Sequence, residues 1–395
     1  MEDHFIIQPQ PVERVTPADG NQYFFGYFDK SPWDPAGRRL LAHKATICNR
    51  QPRHGDIAEL GVIDGGVYTP VAESRAWCWQ QGCMLQWLDQ DTIIYNDLED
   101  DHFVARTLNL VTGAKRTLHR PIYCLSPDRR HAISLDFARL DRERPGYGYA
   151  GVWTPLLEKG WPDDDGLWLM DLEADTSTLS VSLARICRDY PGLGSDQAPS
   201  WFNHILISPD SKRFAFFHRW RRFGPWGNGV LSHITHMFTA NLDGSGLYPL
   251  NLQDMSSHYV WVDNTHIINF SRRFADGDRY HLFTDQTDEV KTIGAKWFEN
   301  SGDGHCTYSL DGRWMLTDTY PLSRYGSHRL LLLYDIPNDR AYEVGRFYAD
   351  PAYITPARCD LHPRLSADKR LICFDSIHEG FRGIYLMDVS ALTQA

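Results

Sequence analysis

Long apolar runs are missing from this chain. None approaches the roughly 20 residues that a helix needs to cross a bilayer, so no membrane span is expected. No secretory leader is expected either, because MEDHFIIQPQPVERV opens without basic residues and lacks an apolar centre. The eight cysteines show no even-spaced framework, and they read most simply as reduced thiols. These absences together point to a cytoplasmic protein. Positive charge is also short. Lys and Arg number 40 against 51 Asp and Glu, a net charge of -11. That argues against a general nucleic-acid or anionic-membrane surface, and leaves room for a local cationic pocket around a small anion.

What is plentiful is aromatic. The 19 Tyr, 19 Phe and 13 Trp favour strands. One unit recurs: an apolar run, a Ser-x-Asp turn, then a second apolar run. Its clearest copy is HILISPDSKRFAFFH, residues 204–218. Others begin at Ile122, His305 and His362, each four residues before the turn serine. Degenerate copies begin at Met84 and His258, and residues 31–43 carry a seventh with an insertion in its turn. Seven starts spaced by roughly 40 to 80 residues are the signature of a radial β-repeat.

The expected fold is therefore all-β: a seven-bladed propeller occupying residues 1–395 as one domain. The last blade is one strand short. Residues 5–15 are expected to supply that strand and close the ring. The longest insertions, residues 137–165 in blade three and 219–233 in blade four, follow second strands. They should gather at one mouth of the central channel, and long loops on a rigid scaffold usually carry function.

Four consecutive blades place histidine at the first repeat position: His204, His258, His305 and His362. Innermost strands line a propeller's channel, so these imidazoles are expected to share one volume. Neutral imidazole suits borderline divalent metals, and Cys359 or Asp360 could add a ligand; the expected cofactor is a divalent cation, Mn, Zn or Ca. The alternative is a hydrogen-bonded, metal-free polar channel. A second ring ends the second strands: His43, Asp136, His218, Asp318 and Asp375. For the aspartates, bonds to backbone amides of neighbouring blades are the simpler expectation. His43 and His218 precede Lys44 and Arg219, pairings that suit proton transfer.

Basic loops add Arg50, Arg53, His54, Arg219, Arg221 and Arg222. Arginine matches carboxylate with a bidentate fork. Tyr147, Tyr149, Trp220 and Trp226 can stack on sugar rings. Together they suit an acidic oligosaccharide as partner.

Three stretches, QYFFGYFDKSPWD at residues 22–34, WCWQQGCMLQW at 77–87 and CDLHPRLSADKRLICFDS at 359–376, resemble seven-bladed propellers that act on uronic-acid glycans. The similar families are oligogalacturonate lyases, ulvan lyases and related enzymes that cleave rhamnose-glucuronate linkages. The resemblance implies β-elimination, with a base removing the proton beside the uronate carboxylate while a cation or arginine neutralises it. By position it makes His43 a catalytic histidine and His258, His305 and His362 metal ligands. Beside the resemblance, the residues themselves make Gln22, Tyr23, Lys44, Arg53, Gln81, Tyr147 and Arg221 candidates for substrate binding, and His218, Arg219 and Tyr149 candidates for catalysis. Some relatives carry a second active-site histidine where this chain has Gln22 or Tyr23, and glutamine cannot titrate near neutral pH. Two other readings remain open: a glycoside hydrolase using Asp318 with Asp375 as paired carboxylates, and a non-catalytic binding propeller.

Overall fold

Four of the repeats are built on one hydrogen-bond device. The turn serine donates its hydroxyl to the aspartate two residues on, at 2.5 Å for Ser126 and Asp128 and 2.8 Å for Ser208 and Asp210. Its oxygen also accepts the backbone N–H five residues on, from His131, Arg213, Trp314 or Leu371. The side chains thus satisfy a tight turn and start the returning strand in register.

The computed structural model describes residues 5–191, 198–221, 233–299, 301–321, 325–353 and 356–394. Among them the strands form seven sheets. In blade four the antiparallel strands are Ser200–Ile207, Arg213–Arg221, His233–Asn241 and Tyr248–Asn251. The chain is a seven-bladed propeller, as its repeats require. Apolar side chains pack between neighbouring blades; Phe202, Phe216 and Phe238 of blade four join Ile133 and Leu167 of blade three in one cluster. No described helix is long and apolar enough to cross a membrane.

The N-terminal segment closes the ring, but in two pieces. Val12–Arg14 pairs antiparallel with Gly383–Asp388, the last strand of blade seven. Ile6–Ile7 instead runs parallel to Arg340–Tyr348, the outer strand of blade six. Pro9 and Pro11 separate the pieces. Neither can donate to a ladder, so one continuous strand over residues 5–15 is excluded.

Blade one departs from its neighbours at the channel. Its inner strand Gln22–Phe24 pairs with Leu40–Ala45 and then leaves the ladder, which resumes only at a bridge between Trp33 and Leu40. The residues between form a bulge that carries Tyr27 and Phe28 into the centre. Gly26 opens it at φ +135°, and a Cβ there would lie 3.1 Å from the Gln81 carbonyl. Only glycine fits such a backbone at such a distance. Blade seven clamps the bulge. Asp375 accepts the Phe25 N–H at 3.1 Å, and Arg364 donates to the carbonyls of Gly26 and Tyr27.

The long blade-three insertion lies across the mouth. It starts with the helix Phe137–Glu143, whose N-terminal amides bond the Asp136 carboxylate. It then packs Gly146 against Pro356 on the approach to blade seven, and Gly151 against His54 in the blade-one loop.

Candidate functional site

The four repeat histidines converge. Ring centres of His258 and His305 lie 4.0 Å apart, those of His305 and His362 4.4 Å, and those of His204 and His258 6.1 Å. Tyr27 stands among them, 4.8 Å from His362 and 5.0 Å from His204. His204 and His362 hold left-handed backbones at φ +49° and +43°. Such strain in non-glycine residues persists only where surroundings enforce it, and it clusters at functional sites. The His204 turn is pinned by two tyrosines: its N–H donates to the Tyr123 hydroxyl, and its carbonyl accepts from Tyr259.

The histidines divide by partner. His305 turns Nδ1 to Asp318 at 2.9 Å, and His362 donates Nδ1–H to the Gly26 carbonyl at 2.8 Å. Both leave Nε2 buried with no hydrogen-bond partner. Asp360 stands beside them, and the three residues can bring ligand atoms within 4.8 Å of one another. Arg358 bonds one Asp360 oxygen at 2.8 Å. Arg329 lies 2.7 Å from the other oxygen as a buried ion pair. Burial opposes ionisation of Asp360, but the Arg358 and Arg329 guanidiniums overcome it and hold the carboxyl far below its usual range. Two bare imidazole nitrogens with one carboxylate fit a divalent cation. The bonds that fix each imidazole's tautomer are of the kind found behind metal ligands.

His258 belongs to a different pair. Its Nδ1 lies 2.9 Å from Asp303, which leaves Nε2 as a basic lone pair at the mouth. Burial keeps this imidazole below its ordinary value against the pull of Asp303, so it stays neutral near pH 7. His204 is likewise kept neutral by burial and by the nearby Arg219 charge.

Arg219 and Tyr147 also reach this volume. The Arg219 guanidinium covers the Phe217 ring at 4.9 Å and donates to Thr235 at 3.0 Å. It has no carboxylate partner among the described residues. Tyr147 accepts from Arg358 at 2.9 Å and stands edge-on to His204 at 5.7 Å. Burial alone would raise its pKa, but the Arg358 and Arg144 guanidiniums hold it below the ordinary phenol value.

The remaining candidates sit elsewhere. His43 and His218 do not share a cleft with Arg219, contrary to the sequence expectation. His43 stacks on Phe24 at 4.9 Å, accepts the Cys83 N–H at 3.1 Å and is fully buried. His218 is wedged between Phe202 and Trp220, and neither ring nitrogen has a partner. Burial pushes both imidazoles down to about 3. Strand geometry explains the error for blade four: adjacent residues point to opposite faces, so His218 and Arg219 cannot both face the channel.

Tyr149 stacks on Phe137 at 4.2 Å inside blade three's core, bonded to Asn96. Gln22 accepts the Arg382 N–H, and Tyr23 donates to Asp19. Lys44 pairs with Glu59, and Arg221 with Glu143. Arg53 is exposed, and its backbone N–H bonds Asp56. Gln81 braces the channel wall through the Tyr123 hydroxyl at 2.8 Å. Arg222 and Trp226 lie outside the described residues. Asp318 is committed to His305, and Asp375 to Phe25 and Arg364, so neither is a free carboxylate for a hydrolytic pair. The sequence reading missed Tyr27, Arg144, Asp303, Arg329 and Arg358. Gly26 before Tyr27 is the one local cue to the bulge.

No family model matches the chain. No curated protein matches it in sequence. Solved structures do match. An oligogalacturonate lyase from Vibrio parahaemolyticus is similar with a TM-score of 0.65 at 16% identity, over 98% of this chain and 96% of that one. An oligogalacturonate lyase in complex with manganese gives 0.65 and 16%, over 98% and 95%. The β-propeller domain of the Trilobed protease from Pyrococcus furiosus gives 0.53 at 11% identity, over 94% and 95%. At these identities the likeness is one of fold.

Proposed function

We propose that this chain cleaves short uronic-acid-containing oligosaccharides by β-elimination, assisted by a divalent cation held by His305, Asp360 and His362. One observation carries the reading: a neutral His258 with a free Nε2, an uncompensated Arg219 and two bare imidazole nitrogens meet at one mouth. A base, a carboxylate receptor and a cation site are what elimination beside a uronate requires. The manganese in one structurally similar oligogalacturonate lyase supports the same choice.

Arg219 receives the substrate carboxylate with its fork. His258 Nε2 takes the proton from the carbon bearing that carboxylate, while Asp303 holds the imidazole and stabilises its charged form. The C–H electron pair becomes the new double bond, and the glycosidic C–O bond breaks with its pair on the leaving oxygen. Tyr147 returns a proton to that oxygen; its hydroxyl accepts from Arg358, so its own hydrogen is free to be given. The bound cation would supply Lewis-acid neutralisation of the developing negative charge. Galacturonate, glucuronate and rhamnose-glucuronate disaccharides test the reading, through ultraviolet absorbance of the unsaturated product. No absorbance gain on any of them would sink it.

A further inference from the structure

Arg144, like Arg219, is a cation at the mouth without a counter-ion among the described residues. It caps the C-terminus of the helix Phe137–Glu143 in the blade-three insertion. Its neighbours are satisfied: Arg142 and Arg221 both reach Glu143. Arg144 has no carboxylate partner among the described residues, and its Nε is buried without a hydrogen bond. Its guanidinium lies 5.2 Å from the centre of the Tyr147 ring.

Rings connect the two arginines. Tyr147 is 5.7 Å from His204, and His204 is 5.5 Å from Phe217, which lies beneath Arg219. Arg144 and Arg219 therefore both lie near His204 through one ring each, Arg144 on the insertion through Tyr147 and Arg219 on blade four through Phe217. Arg219 is 4% exposed. Burial first, and the Arg144 charge second, bring it down to about 10. Two like charges held near one small volume, with no carboxylate paired to either among the described residues, are unfavourable until an anion arrives.

We infer that Arg144 and Arg219 form a two-guanidinium clamp that closes on a single sugar carboxylate. This deepens the proposed function and rests on it for the choice of a uronate as ligand. The charge count gives the clamp a further role. A uronate carboxylate carries one negative charge, and the enolate-like species left after proton removal carries a second. Two guanidiniums match the second state better than the first, which is how binding is turned into rate.

Isothermal titration with D-galacturonate and D-glucuronate, against D-galactose and D-glucose, tests the clamp without any turnover. The intact protein should bind at least one uronate about tenfold or more tightly than its neutral hexose, the scale of one charge-assisted hydrogen bond. Arg144→Gln and Arg219→Gln should each remove about that factor, and Arg144→Lys should retain part of it. The double variant should lose less than the two single losses combined, because both groups hold one carboxylate. Arg144 is half-buried and makes no side-chain hydrogen bond among the described residues, so thermal melting of Arg144→Gln should follow the parent. Unchanged uronate binding in Arg144→Gln overturns the clamp. So do additive losses, or a protein that prefers no uronate over its hexose. Clamp-like binding with no unsaturated product from any disaccharide would instead remove the lyase reading and leave the clamp.

Discussion

The Tyr27 hydroxyl lies 3.3 Å from Nε2 of His204. This pair ties the bulge of blade one to the inner strand of blade four, across the channel. Tyr27 reaches that position because Gly26 turns where no side chain fits, and because His362 and Arg364 hold the Gly26 carbonyl. The centre of the ring is thus built by blade one and locked by blade seven.

Gly26→Ala should destabilise the fold by about 2–4 kcal/mol, combining a forced φ with a backbone clash. Denaturant unfolding reads the loss. An unchanged midpoint would mean that the bulge relaxes freely and does not fix Tyr27.

Metal binding should follow the division of the histidines. Manganese titrated by calorimetry should bind the parent, fail in His305→Ala and His362→Ala, and weaken about ten- to hundredfold in Asp318→Asn, which frees the His305 ring. His258→Ala should bind as the parent does. Equal loss in His258→Ala would place that imidazole among the ligands.

Proton transfer should depend on His258. On any disaccharide the parent cleaves, His258→Ala should lower kcat by a factor of about 100 to 10,000, the range for a lost general base. Asp303→Asn should fall in the same direction by less. His43→Ala should change melting temperature rather than kcat, since His43 is buried in the core. The reverse pattern would return the base to His43.

Acid should destabilise the protein through His218. The unfolded imidazole titrates near 6.5, and burial takes the folded one to about 3. Between those values the unfolded chain binds a proton that the folded chain excludes, so stability falls as pH drops through that window. His218→Phe removes the group and leaves no unsatisfied nitrogen. Its melting temperature should exceed the parent's by more at pH 5 than at pH 7, and equal gains at both would show that His218 is not the titrating group.

The propeller and its histidine ring were legible because both repeat. Ser208-Pro209-Asp210 and its three close copies mark four of the turns; His204, His305 and His362 each stand four residues before the turn serine, and His258 opens a degenerate copy that lacks it. The bulge was not legible, because it breaks the repeat: residues 25–32 leave the ladder and no periodicity reports where they go. The misplacement of His43 and His218 has another source. Both were read as strand ends at the rim, but the strands Leu40–Ala45 and Arg213–Arg221 continue past them; His43 is buried against Cys83 of blade two, and His218 is buried between Phe202 and Trp220 of its own blade. Arg144 and Arg358 lie outside the repeat, and only the folded insertion brings them beside Tyr147.

The joint at Val12–Arg14 sets an order of events in time. Arg14 and its partner Tyr385 are 371 residues apart in sequence. During synthesis the outer edge of blade seven is therefore made long before the sheet it completes. Seven sheets can assemble one after another as the polypeptide emerges, but the circle shuts only when the last of them is available. The mouth inherits this schedule: Asp360, His362 and the residues that hold Gly26 belong to blade seven, so the candidate site is complete only once that blade has folded.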